Sequence, residues 1–255
     1  EQLISQEARS GVFLTVLGFG MGNLQDHTLE LLADKGNGNY GYVDGRDEAR
    51  RLLVEQLSGT LVTIAKDVKI QLEFNPRAVA YWRQVGYENR ALAARDFDDD
   101  RKDAGEIGAG HSVVALYELV PAGEGLEPPG PDGLRYGRPT DGLPPGSGFM
   151  RPSDDPDSDE LVYVKLRYKQ PDGQTSRLLE APVRNQVQRL EASTDDFRFS
   201  AAVAAFGMLL RQSPYRGDAS WDLVDRLARQ SLGRDPEGYR RDFVELARQA
   251  ERLSR

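Results

Sequence analysis

The sequence predicts an α/β chain: a parallel, Rossmann-like sheet at the N-terminus, antiparallel β elements after it, and a C-terminal β-hairpin joined to a helical unit. Three observations predict it. The run from Gly11 to Gly20 is apolar, β-branched and aromatic almost throughout and ends in glycines, as a strand buried on both faces requires. Apolar residues on either side of it recur at helical spacing. From Thr60 the period changes to alternation, the mark of half-buried strands.

The elements come in this order. Glu1 to Arg9 carries Leu3, Ile4 and Ala8 on a helical stripe, stopped by Gly11. Val12 to Leu17 is expected at the centre of a sheet, because five large apolar side chains are each worth roughly 1.5–3 kcal/mol when buried. After the loop Gly18 to Gln25, Asp26 is expected to cap a helix bearing Leu29, Leu32 and Ala33, ended by Gly36. Asn39 to Val43 is a second strand, and a third helix starting from Asp44 carries Ala49, Leu52, Leu53 and Leu57. Two strands alone cannot bury these helices, since a sheet generally needs three or more, so the rest of this unit (1–59) is expected upstream of Glu1.

In the segment 60–120, read as β-sandwich-like, Val68, Ile70, Leu72 and Phe74 alternate with polar residues, and Ala78–Val85 and Ser112–Val120 are further strands. Residues 121–159 hold 9 Pro and 8 Gly in 39 positions and read as a linker. In 160–255, Leu161–Tyr168 and Gln174–Val183 form a hairpin about Pro171-Asp172-Gly173. Three helices come after it. The first is capped by Thr194 and is apolar nearly all round, with stripes Phe197/Ala201/Ala204/Met208 and Phe199/Val203/Phe206/Leu210. The second is capped by Ser220. The third starts at Asp235-Pro236 and sets Tyr239, Phe243, Leu246, Ala250 and Leu253 on one face. Hairpin and helices are expected to form one compact unit.

Several function classes are excluded or disfavoured. A net charge of −8, from 33 basic and 41 acidic residues, argues against a nucleic-acid partner. The chain has no cysteine, which excludes disulfides and thiolate metal sites, and no apolar run approaches the roughly 18 residues of a direct membrane span. Motifs for a nucleophile with its base, a zinc protease helix or a phosphate loop are missing, so no catalytic residue is assigned. His27 and His111 are far apart, and His111 with Ser112 would point to opposite faces of a strand.

The runs Gly11-Val-Phe-Leu-Thr-Val-Leu-Gly-Phe-Gly-Met-Gly-Asn23, Leu32-Ala-Asp-Lys-Gly-Asn-Gly-Asn-Tyr40, Leu61–Ile70 and Phe97–His111 resemble the back half of the von Willebrand factor type A (VWA) domain, together with the C-terminal region beyond that domain, in bacterial YfbK-like proteins. The resemblance covers nearly the whole chain. It implies a Rossmann-like sheet that binds a protein ligand through Mg²⁺ at the C-terminal ends of its strands, a β-sandwich completed by strands from before the VWA domain, and presentation at the cell envelope. The family's metal motif, Asp-x-Ser-x-Ser with a later Thr and Asp, does not occur in these residues, so no cofactor is expected in this chain itself. The expected function is a non-catalytic binding module, with Gly18, Gly20, Asn23 and Asp26 as ligand-facing loop residues.

Two alternatives stand beside it. Gly18, Gly20 and Asn23 approximate a dinucleotide fingerprint, with Asp44 placed as a ribose-binding acid, which would make this a nucleotide-binding enzyme domain; yet Asn23 replaces the third glycine and the helix begins late. Asp96, Asp98 and Asp100 match the first three positions of a Ca²⁺ loop, but Arg101 stands where the turn glycine belongs and Ile107 where the closing Glu belongs. A solvated acidic loop is the plainer reading of these aspartates.

Overall fold

The computed structural model describes residues 2–9, 12–20, 24–56, 62–86, 96–100, 104–123, 147–149 and 159–254. They form two compact units, one of Glu1–Glu73, Leu92–Val113 and Val162–Val183, the other of Phe74–Ala91, Val114–Leu161 and Arg184–Arg255.

The first unit opens with α1 (Gln2–Arg9), β1 (Val16–Phe19), α2 (Asp26–Lys35), β2 (Tyr40–Val43) and α3 (Arg46–Arg50), which continues into a π-helical turn, Arg51–Glu55. β1 and β2 are parallel, with Val16 opposite Tyr40 and Phe19 opposite Val43. The α-β-α-β-α order is therefore as the sequence indicates, but the strand starts later and lies less deep. Residues 12–15 run beside the α2–β2 connection, with Leu14 N donating to Gly36 O at 2.8 Å. Val12 is 58% exposed, and among the described residues β1 has β2 as its one hydrogen-bonded neighbour, so it is not the sheet centre expected. With no described strand on its other side, its apolar side chains stay half-buried. Gly38 is required by this path, since a Cβ there would lie 2.0 Å from the Leu14 carbonyl oxygen. The π turn shifts the helical phase by one residue and leaves Leu53 exposed rather than in the expected stripe; Leu57 lies outside the described residues.

The same unit holds most of a second sheet, of β3 (Thr63–Phe74), β5 (Gly105–Gly108), β8 (Glu160–Lys169) and β9 (Ser176–Arg184), ordered β5-β3-β8-β9. The expected hairpin is β8–β9, but it docks beside β3. The hairpin and the helices thus fall in different compact units, with β8 paired to β3 and its Lys165 and Lys169 bonded to Glu73 and Asp67. Bulges interrupt β3 against β5, and within the second of them, between Ala65 and Val68, Asp67 adopts φ 50.

The second unit has a sheet ordered β6-β4-β7, with β4 (Val79–Val85) between β6 (Leu116–Pro121) and β7 (Ser147–Phe149). Strand β7 falls inside the segment read as a linker, so that stretch contributes to a sheet; the linker's positions 124–146 and 150–158 lie outside the described residues. The strand expected from Ser112 begins only at Leu116, and Val113 and Val114 are exposed. Phe74, Trp82 and Tyr117 cluster with ring centroids 5.3–6.2 Å apart. Arg83 is buried, donates to Glu118 opposite it on β6, and lies 4.7 Å over the Tyr215 ring.

Helices α4 (Asp195–Leu210), α5 (Trp221–Gln230) and α6 (Tyr239–Ser254) complete it. Thr194 and Ser220 cap the first two by accepting from Phe197 N and Leu223 N, as the sequence indicates. The Asp235 carboxylate caps the third by accepting from Arg240 N and Arg241 N. The core uses small side chains, with Ala202, Ala205, Val224, Leu227, Ala228, Val244 and Ala247 buried. Helix α4 is not the fully buried helix expected, since Phe197, Val203 and Leu210 are exposed. On α6 the chain buries Val244 and Ala247 in preference to the larger stripe. Alanines facing one another let the helices approach closely, which leaves the long side chains outside.

Candidate functional site

The loop after β1 leaves the C-terminal edge of the parallel sheet, the place where open α/β sheets bind ligands. Tyr40 and Tyr42, two apart on β2, share one face and reach across β1. The Tyr40 hydroxyl donates to Asp26 Oδ1, and the Tyr42 hydroxyl donates to the Gly20 carbonyl at 2.7 Å. The Asp26 hydrogen bond and, less strongly, burial push the Tyr40 phenol from 10.0 up to about 12. Gly18 is buried, and a Cβ on it would sit 3.1 Å from the Tyr40 oxygen, so glycine makes room for this clamp. Gly20, with φ +91 and open space around it, turns the chain. Phe19, the last residue of β1, is 60% exposed. Asn23 lies outside the described residues.

Asp26 does not cap α2. Gln25 occupies the cap position without a side-chain cap bond, and Asp26 is the first helical residue. A dinucleotide would place its pyrophosphate at this helix end. The helix instead presents a carboxylate there, held by Tyr40, so charge opposes the nucleotide alternative. Asp44 is exposed beyond β2, and Gly45, not Asp44, precedes α3.

The acidic loop has a different chemistry from the one its aspartates suggest. Lys69, 3% exposed on β3, donates to the carbonyls of Asp99 at 2.6 Å and Asp96 at 3.4 Å. Lys169 on β8 donates to the Asp100 carbonyl at 2.7 Å and pairs with Asp67 Oδ2 at 2.6 Å. Arg167 donates to Asp98 Oδ1 at 2.6 Å and to Ser176 Oγ at 2.9 Å, and its guanidinium lies 5.4 Å over the Phe97 ring. Hydrogen bonding from Ser176 holds the Asp100 carboxyl below its usual range against a smaller opposing effect of burial. Of the carboxylates a Ca²⁺ ion would need, Asp98 is held by the Arg167 guanidinium and Asp100 accepts from Ser176 N, while the two ammonium groups bind main-chain carbonyls of the same loop. Among the described residues no three His, Cys, Asp or Glu side chains converge as a metal site, and the donor set at the β1–β2 edge does not by itself fit the Mg²⁺ that the family resemblance implies.

Sequence reasoning missed the tyrosine clamp and the cation row. Both had a signal: Tyr40-x-Tyr42 and Lys165-x-Arg167-x-Lys169 place like residues on one face of a strand. His27 and His111 are exposed and lie in separate places along the chain.

A short parallel α/β unit, a four-stranded sheet closed by a charged loop, and a sheet with a three-helix bundle define a mixed α/β protein. Residues 59–253 match the family model described as "Uncharacterized protein YfbK, C-terminal", and the chain belongs to that family. It is 39% identical over 246 residues to "Uncharacterized protein YfbK" of Escherichia coli (strain K12), covering 96% of this chain and 40% of that protein. A solved structure, "von Willebrand factor type A from Catenulispora acidiphila", aligns over 96% of this chain and 53% of its own with 17% identity and a TM-score of 0.39.

Proposed function

We propose that the chain is a non-catalytic binding module, the C-terminal part of a longer VWA-containing protein, and that the β1–α2 loop is part of the surface that meets a protein ligand. What supports this reading is the pair of loop ends: Tyr42 holds Gly20, Tyr40 holds the Asp26 carboxylate at the helix end, and Phe19, the last residue of β1, is exposed beside them. An exposed aromatic beside anchored backbone suits a protein partner, since aromatic side chains are the commonest anchors of protein interfaces. A metal contribution would come from ligands outside these 255 residues, and presentation at the cell envelope is part of the proposal. No helix among the described residues is long and apolar enough to cross a membrane.

The competing nucleotide reading is tested by calorimetric titration of the chain with NAD, ATP and Mg²⁺. No heat beyond dilution is expected from either nucleotide. Micromolar nucleotide binding that is lost in Gly20→Val would overturn the proposal.

A further inference from the structure

Asn37-Gly38 is the one Asn-Gly step in the sequence, and the path of the chain fixes both of its members. Asn37 turns the chain from α2 towards β2 with φ 51, a left-handed conformation that asparagine and glycine adopt more readily than other residues. Gly38 passes so close to residues 12–15 that a Cβ would stand 2.0 Å from the Leu14 carbonyl oxygen and 2.8 Å from Thr15 N. The same pair is the least hindered arrangement for attack by a main-chain nitrogen on a side-chain amide, because glycine has no side chain to shield its nitrogen. In the folded chain that nitrogen is engaged. Gly38 N donates to Ala33 O at 3.0 Å and Asn37 N to Asp34 O at 3.2 Å, while Leu14 N donates to Gly36 O and Val16 N to Asn39 O, both at 2.8 Å.

We propose that Asn37 is a self-modification site of the first unit, a deamidation centre restrained while the α2–β2 turn is closed and released when it opens. The step needs only water. The Gly38 nitrogen gives its proton to solvent base and attacks Asn37 Cγ; the N–Cγ bond forms, the Cγ–Nδ2 bond breaks, and ammonia leaves with a proton. Water then opens the succinimide at either carbonyl, giving aspartate or isoaspartate, so that one water is consumed and one ammonia released. Attack requires Gly38 N to leave Ala33 O and the peptide to rotate towards the side chain, which the bonds of the closed turn oppose. Opening is the gate. Among the described residues β1 has β2 as its one hydrogen-bonded neighbour, and so small a sheet opens at lower free energy than a larger one. The two products differ in consequence. Aspartate keeps the length of the backbone and tolerates positive φ. Isoaspartate routes the main chain through the side-chain carbon and lengthens it by a methylene where Gly38 has no clearance from Leu14, so the turn cannot re-form its bonds to residues 14 and 16.

The test incubates the 255-residue chain in mildly alkaline buffer, folded and in urea, and follows the tryptic peptide Gly36–Arg46 by mass spectrometry. Fragmentation separates Asn37 from Asn39, and labelling by an isoaspartyl methyltransferase reports isoaspartate. Conversion is expected at Asn37, about tenfold or more faster in urea than in the folded chain. Asn37→Gly should fold, by circular dichroism, and show no conversion in this peptide. Returned from urea, the aged chain should show in hydrogen exchange a second, faster population over residues 12–19 and 40–43, in proportion to its isoaspartate content, which a freshly prepared Asn37→Asp chain lacks. Equal rates in the two states, or no isoaspartate at position 37 in urea, would overturn the proposal. So would an isoaspartate-bearing chain that exchanges like the parent.

Discussion

Lys169→Met removes the ammonium that joins β8 to the acidic loop. Lys169 and Asp67 have side chains only 11% and 16% exposed and lie 2.6 Å apart, and the same ammonium is bound by the Asp100 carbonyl at 2.7 Å. Breaking a buried pair by deleting one member costs about 3–5 kcal/mol, because the other charge is left without compensation. Asp67 keeps a bond from Ala104 N at 3.3 Å, which places the expected loss at the lower end, about 3 kcal/mol. Adding Asp67→Asn should recover part of it, since asparagine tolerates φ 50 and removes the stranded charge. Urea unfolding followed by circular dichroism gives the energies, and hydrogen exchange shows whether the effect is centred on residues 96–100 and β8. A Lys169→Met chain within about 0.5 kcal/mol of the parent, with unchanged exchange in that loop, would refute the view that lysines hold it.

Two other perturbations probe the first unit. Because the folded-state pKa of Tyr40 lies above its ordinary 10.0, its hydrogen bond to Asp26 contributes stability that is complete below pH 10 and lost as pH rises to about 12. A near-ultraviolet titration should lose part of its late tyrosine absorbance in Tyr40→Phe, the rest belonging to Tyr117, which burial also shifts upward; an unchanged curve near pH 12 would contradict the clamp. Gly38→Ala forces a Cβ onto the Leu14 carbonyl and should destabilise the first unit by roughly 1–3 kcal/mol, whereas Gly105→Ala, with nothing within 4 Å, should stay near neutral; equal melting shifts would contradict the close approach.

The parallel unit, the hairpin and two of the three helix caps are legible in the sequence because each rests on local chemistry: a β-branched run, an Asp-Gly turn, a Thr or Ser before a helix. The partner of β8 is not legible, since pairing with β3 joins residues about a hundred positions apart and no local signal names a strand's neighbour. On α6 the stripe of Tyr239, Leu246 and Leu253 predicts a buried face, but close alanine packing turned Val244 and Ala247 inward. The aspartates of the acidic loop suggest a cation and the structure provides three, all from side chains; composition alone cannot tell an ammonium from a metal ion. Asp26 is placed correctly at a helix start, but its role depends on Tyr40, fourteen residues away.

The proposal of a protein-binding edge is tested most directly by a photoreactive benzoylphenylalanine at position 19 in the full-length protein, irradiated in its own cells beside a control carrying the same residue at Val187, which is at least as accessible but distant from the loop in sequence. The account predicts a light-dependent adduct with a discrete protein at position 19 and none at 187. No adduct at 19, or the same adducts at both positions, would contradict it.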